Sequence, residues 1–310
     1  MAMMASMRRR PRLRHRIGEA ALRRAADSLH AWMAWVPPVF HGSTRTAASI
    51  RSFPGALPRI DRRAGTLRVL SLNVAHGRAD RSHQLLQTSR HRERTLARIA
   101  ALFEREGPDV VGLQEADGPS FWSGGFCHVE SLARRSRFSC FAHVAHVEGP
   151  GLRYGTGLLS RLELADAFAC TFDRSLPTPA KGFTVAAVHL DERTVIDVAS
   201  VHLDFLRPAV RARQVQQMVE VLAPRRRPLV VMGDFNADWH DESSAVQRLA
   251  AALGLVAHAP EIPASTFPTF GARLDWILVS SQLVFDRHEV LPDVVSDHLP
   301  VVADIRMRDR

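Results

Sequence analysis

The stretch PLVVMGDFNAD, residues 228–238, runs directly from apolar into acidic residues. Leu229 to Met232 have the side chains of a strand buried on both faces. Asp234, Asn236 and Asp238 follow at once. A lone acid at a strand end is ordinarily a turn former or a helix cap. Whether this cluster means more depends on how the other strands end.

They end alike. LRVLSLN (67–73) is a short apolar strand that closes on Asn73, and DVVGLQ (109–114) runs into Glu115. VIDVASVHL (195–203) carries His202 at its end, Asp275 opens LDWILV (274–279), and Ser296-Asp297-His298 precede VVADI (301–305). Between the first two strands, RERTLARIAALFERE (92–106) puts Leu96, Ile99 and Phe103 on one helical face, and Gly107-Pro108 stops it. These three elements read as a β–α–β unit. GLLS (157–160) is a further strand, and FTVAAVHL (183–190) forms a hairpin with 195–203 across the polar turn 191–194. Residues 207–223, with Pro208 at the start, and 243–253, closed by Gly254, read as amphipathic helices. The sum is a sheet-rich α/β (α+β) domain, with two packed sheets and helices outside them.

Bulk properties narrow the classes. The chain has 310 residues, 46% hydrophobic and 24% charged, as in ordinary globular proteins. Its net charge of +9 suggests a polyanion partner, but the charge is localised. Residues 1–63 hold 13 arginines against three acids, whereas residues 64–310 hold 28 basic against 29 acidic side chains. The organisation expected is therefore a basic, Arg/Ala-rich extension and linker over 1–65, followed by a catalytic domain over 66–310. Three readings of the extension compete: a flexible arm, an interfacial helix dipping Trp32, Met33 and Trp35 into a membrane surface, or a partly untranslated leader with alternative starts at Met3, Met4 and Met7. It makes a poor signal peptide, and no apolar run approaches the roughly 20 residues of a spanning helix. Three cysteines without C-x-x-C spacing argue against a disulfide framework or structural zinc and point to a reducing, cytoplasmic compartment.

Strand ends converge in space, so the polar residues there are expected to line one cleft. Their oxygens, without sulfur, suit Mg²⁺, with Mn²⁺ as the alternative. Histidines beside such a metal suit proton transfer or phosphate contact, and water attack on a phosphoester uses both.

The ordered blocks LSLN (70–73), GLQE (112–115), GTGLLSR (155–161), VHLD (201–204), GDFN (233–236), LDWIL (274–278) and SDHLP (296–300) resemble those of the endonuclease/exonuclease/phosphatase superfamily, the DNase I-like proteins. The resemblance covers about residues 66–307. It implies a four-layer α/β sandwich, two packed mixed sheets flanked by helices, with the site at one sheet edge. It further implies that Glu115 is the principal metal ligand, with Asn73 beside it on metal or phosphate and Asp297 as a further metal-site acid. His298 is similar to the catalytic histidine and Asp275 to its carboxylate partner. Asp234 resembles the group that orients or deprotonates water, Asn236 a donor to that water or to phosphate, and His202 a phosphate-contacting histidine. Asp238 and Asp241 read as loop or cap acids, and His76 as an ordinary loop histidine within reach of a substrate. Tyr154 reads equally as a cleft or a surface-loop residue.

The substrate is less legible. Apurinic endonucleases carry a lysine soon after the QE pair, where this chain has Ala116-Asp117, and an acid there would repel a DNA backbone. With a near-neutral body, that leaves nucleic acid as a disfavoured partner. Residues 117–154, with Trp122, Phe126, Phe138 and Phe141, are expected to wall the site, and TFPTF (266–270) to place an aromatic and Arg273 at the cleft rim. A monomeric phosphoesterase acting on a phosphomonoester or small phosphodiester is the first reading. The alternatives are a DNA nuclease, a sphingomyelinase-like lipid phosphodiesterase drawn to membranes by residues 1–40, and a non-catalytic binding member.

Overall fold

The computed structural model describes residues 43–53, 65–78, 89–121 and 123–309. The expectations for residues 1–40, and for Trp122, lie outside the described residues.

In chain order the elements are β1 (Thr44–Ala47), β2 (Ile50–Ser52), β3 (Thr66–Asn73), α1 (Ser89–Glu106), β4 (Val110–Asp117), α2 (His128–Arg135), β5 (Cys140–Gly149), β6 (Leu152–Ser160), β7 (Leu164–Thr171) and β8 (Gly182–His189). Then come β9 (Val195–His202), α3 (Pro208–Leu222), β10 (Leu229–Asp234), α4 (Ala245–Leu253), β11 (Leu255–Ala257), β12 (Asp275–Ser280), β13 (Leu283–Val290) and β14 (Val301–Met307). The strands form two seven-stranded sheets, ordered β1-β7-β8-β9-β10-β12-β11 and β13-β14-β3-β4-β6-β5-β2.

Side-chain alternation assigns the layers. Within β10, Val230 and Met232 join an apolar cluster with Val69, Val110, Leu158 and Val301 of the second sheet, so this cluster lies between the sheets. Val231 faces the other way, into a cluster with Met218 and Leu222 of α3 and Val246 and Leu249 of α4. On the far side, Leu70 and Leu72 of β3 pack with Leu96, Ile99 and Phe103 of α1 and Val129 and Leu132 of α2. Helices, sheet, sheet, helices: this is the four-layer sandwich. Burial on both faces is why the central strands read as unbroken apolar runs. The β3–α1–β4 unit forms with a parallel pairing, Val69 opposite Val110.

Two expectations change. The extension-and-linker reading of residues 1–65 does not hold over 44–52. There β1 pairs with β7 and β2 with β5, closing one edge of each sheet. The Arg45 guanidinium lies 3.8 Å from the Phe168 ring centroid, and Ala48 is buried. Short polar strands of this kind protect an open edge without an apolar pattern to announce them. Within residues 117–154, Phe138 and Phe141 do not wall the site. The segment supplies α2, β5 and the start of β6, and Phe138 and Phe141 are buried in the core beneath α1 and α2.

Candidate active site

Strand register builds the site. β10 runs parallel to β9 and antiparallel to β12, and Asp234 stands opposite His202 on one side and Asp275 on the other. Gly233, at φ +148°, lets β10 approach β9 so closely that any Cβ would overlap the Val201 carbonyl. In the other sheet, Asn73 ends β3 opposite Gln114 of β4. An irregularity between Leu113 and Ala116 interrupts the β4–β6 register, and within it Glu115 takes a left-handed φ of +48°. The loop before β14 delivers Asp297 and His298.

Asp234 is the hub. Its Oδ2 accepts from Asn73 Nδ2 at 3.0 Å and lies 3.5 Å from His202 Nε2 and 3.8 Å from His298 Nε2. Its Oδ1 accepts from the Asn236 backbone N–H at 2.9 Å. His298 Nδ1 is 2.7 Å from Asp275 Oδ2, and the Asp275 and Leu274 N–H groups are held by Thr266 Oγ1. Burial alone would strip the proton from His298, but the carboxylates of Asp275 and Asp234 outweigh it and raise its pKa to about 10. Burial, aided by the Asp275 charge, pushes Asp234 upward, while His298 and hydrogen bonds from Asn236 and Asn73 pull it back. His202 is driven well down by burial and by Lys181.

Glu115 sits at the other end of the cluster. His76 Nε2 lies 3.3 Å from its Oε2, and His202 Nε2 and Lys181 Nζ lie 3.8 and 3.9 Å from its Oε1. Burial favours its acid form, yet His76, Lys181 and Arg78 together hold it far below the usual carboxylate range. Asp297 is engaged elsewhere: its carboxylate pairs with the Arg78 guanidinium at 2.7 Å. Asn236, at φ +49°, donates its side chain to the Leu203 carbonyl at 2.9 Å, so its Nδ2 secures the loop.

The donor set fits a hard divalent cation. Asp234, Asp275 and His298 bring polar atoms within 4.8 Å of one another, but His298, kept protonated by the carboxylates, donates from both nitrogens and leaves the ligating to oxygen; among the described residues, Asp275 Oδ1 is buried without a hydrogen-bond partner. Glu115, held ionised, and the Asn73 side-chain Oδ1, which also accepts the Ala75 N–H, are oxygen ligands of the right kind.

Several residues enter that the strand-end pattern passed over. Lys181 is buried, with Nζ 3.0 Å from His202 Nε2. Its signal was register: Gly182, which opens β8, stands opposite His202. His76 is no ordinary loop residue, since it bridges Glu115 and Asp117. Asp117 is fully buried, 2.7 Å from His76, and so faces no DNA backbone; that sequence objection to a nuclease lapses. Tyr154 is buried edge-on to His76 at 4.8 Å. Phe267 does pack on His298, at 4.8 Å, but Arg273 is buried over Trp276 and bonds the carbonyls of His258 and Ala259, away from any rim.

A family model described as "Endonuclease/Exonuclease/phosphatase family" matches residues 70–298. The chain belongs to the endonuclease/exonuclease/phosphatase family. Members of this family include phosphatases and nucleases. Among curated proteins, a UPF0294 protein of Yersinia enterocolitica is 32% identical over 100 residues, a match spanning 31% of this chain and 36% of that protein. Solved structures agree on the fold. An endonuclease/exonuclease/phosphatase from Bacteroides vulgatus superposes with a TM-score of 0.62 at 18% identity, over 78% of this chain and 99% of that one. The human Nocturnin catalytic domain gives 0.59 at 19% identity, over 84% and 98%. A mannosyl-6-phosphatase from Bacteroides thetaiotaomicron gives 0.58 at 15% identity, over 77% and 99%. Among the described residues, no helix is long and apolar enough to cross a membrane.

Proposed function

We propose that the chain hydrolyses a phosphomonoester or small phosphodiester by metal-assisted attack of water. The observation that carries this reading is the position of Asp234, flanked by His202 and by the Asp275–His298 pair. A buried carboxylate with raised proton affinity, next to an imidazole held by a second carboxylate, is an acid/base arrangement. Asp234 orients the water and takes its proton. His298, kept cationic by Asp275, faces the charge that develops on the phosphoryl oxygens. Lys181 and His202 aim further donors at the same oxygens before reaction begins. Glu115, with Asn73 and Asp297, would hold Mg²⁺ or Mn²⁺, which supplies Lewis-acid stabilisation of the phosphoryl group. The family membership, and neighbours whose names include a phosphatase, support the same class.

The test is a hydrolysis screen with and without Mg²⁺ over p-nitrophenyl phosphate, bis-p-nitrophenyl phosphate, nucleotides, inositol phosphates, sphingomyelin and plasmid DNA. Turnover of at least one ester that needs the metal supports the reading. Cleavage confined to DNA would move the chain to the nuclease class. No turnover of any ester by folded protein would make it a binding member.

A further inference from the structure

The polar groups behind Glu115 play no part in the chemistry above, yet they are arranged with unusual cost. Ala75, His76 and Gly77 take consecutive left-handed φ values of 45°, 55° and 72°. Two of these residues carry a Cβ, at roughly 1–2 kcal/mol each. The Asn73 side-chain Oδ1 pins the start of this turn by accepting the Ala75 N–H, and a Cβ on Gly77 would press on His128 at 3.2 Å. The turn brings the His76 ring back toward β4, with Nε2 3.3 Å from Glu115 Oε2 and Nδ1 2.7 Å from Asp117 Oδ1. Asp117 is wholly buried, and Tyr154 closes over the His76 ring. Glu115 is itself left-handed. Strain on both partners of one contact marks a geometry that the surrounding structure enforces.

Resting on the reading of Glu115 as a metal ligand, we propose that His76, held by Asp117, is the positioning residue for that ligand: it occupies Oε2 and so presents Oε1 to the cation. Outer partners of this kind orient ligating groups, and their loss typically weakens metal affinity about 10–100-fold. The bond to Asp117 fixes the ring plane, the left-handed turn fixes its distance, and the second Glu115 oxygen, Oε1, is turned toward the side where Lys181 and His202 stand at 3.9 and 3.8 Å.

The experiment is Mn²⁺ binding to the full-length protein, followed by electron paramagnetic resonance of the free ion, with unfolding midpoints measured in parallel. Wild type binds, and Glu115→Gln loses binding. His76→Ala and Asp117→Asn bind about 10–100-fold more weakly. His76→Gln, whose amide reaches the place of the imidazole Nε2, recovers part of the loss, whereas His76→Asn, which reaches only the place of Nδ1, does not. Wild-type affinity in folded His76→Ala and Asp117→Asn, beside a defective Glu115→Gln, overturns the proposal and leaves Glu115 as a ligand. A lower midpoint with unchanged affinity overturns it too, showing a merely structural role. Absence of Mn²⁺ binding by wild type removes the Glu115 reading itself, and this proposal with it.

Discussion

Lys181 shows how one residue is asked to serve two opposed demands. Burial lowers its pKa, while Glu115, Asp234 and Asp204 work to keep it charged. A buried cation costs stability even when paired, and is retained where its field is used. Lys181→Met keeps the length and removes the charge. The variant should lose about 10²-fold in kcat/KM, far more than any shift of its unfolding midpoint accounts for, since the protein stays folded at assay temperature. A variant that lost midpoint and kept rate would show that Lys181 holds the structure and not the phosphate. The acids and histidines at the strand ends were legible in the sequence because each directly borders an apolar run and has no core role to explain it. Lys181 and His76 were not, since hairpin register recruits one and a left-handed turn the other. Asp117 was read with the wrong exposure, because alternation alone does not tell a buried network from a solvated edge.

The elements that place these residues depend on close backbone approach. Gly233 lies where β10 meets β9, and a methyl group there overlaps the Val201 main chain. Gly254 ends α4 in the left-handed region at φ +62°, with nothing near an added Cβ. Gly233→Ala should therefore cost about 3 kcal/mol or more, a drop of roughly 6–12 °C in midpoint for a domain of this size. Gly254→Ala should cost about 1 kcal/mol. Calorimetry of the pair checks the order, and equal losses would contradict the account of the β9–β10 approach. The central strands and the helices α1, α3 and α4 were readable from period and punctuation. The strands β1, β2, β5, β7, β11 and β13 were not. β1 and β2 are short and polar, and β13 is an edge strand with one face half exposed. What makes them strands is the partner beside them.

Across the whole molecule, histidines tie the layers together. His146 of β5 bonds Thr171 of the opposite sheet at 2.9 Å and Thr156 of its own at 2.8 Å. His258, just after β11, stacks on His288 of β13 at 4.9 Å, joining the free edges of the two sheets. Burial holds His143 at about 4 and both His146 and His288 at about 3. The unfolded chain takes up these protons near pH 6.5, so the folded state loses stability as pH falls from about 6.5 toward 3. His298 has the opposite sign: its raised pKa contributes below pH 6.5 and is lost as pH climbs toward 10. Unfolding midpoints should fall between pH 6.5 and 4.5, and His146→Gln should flatten that slope. A wild-type midpoint that held level over this range would refute the buried-neutral assignment.

The central claim is that the sheet edge around Asp234 is a phosphoester-hydrolysis site. The most direct measurement compares wild type with Asp234→Asn on the best ester of the screen, under saturating Mg²⁺. Asparagine preserves the shape and removes the base. The account predicts metal-dependent turnover in wild type and a loss of about 10²-fold or more in the variant, with both proteins equally folded. Near-wild-type turnover in Asp234→Asn would contradict it.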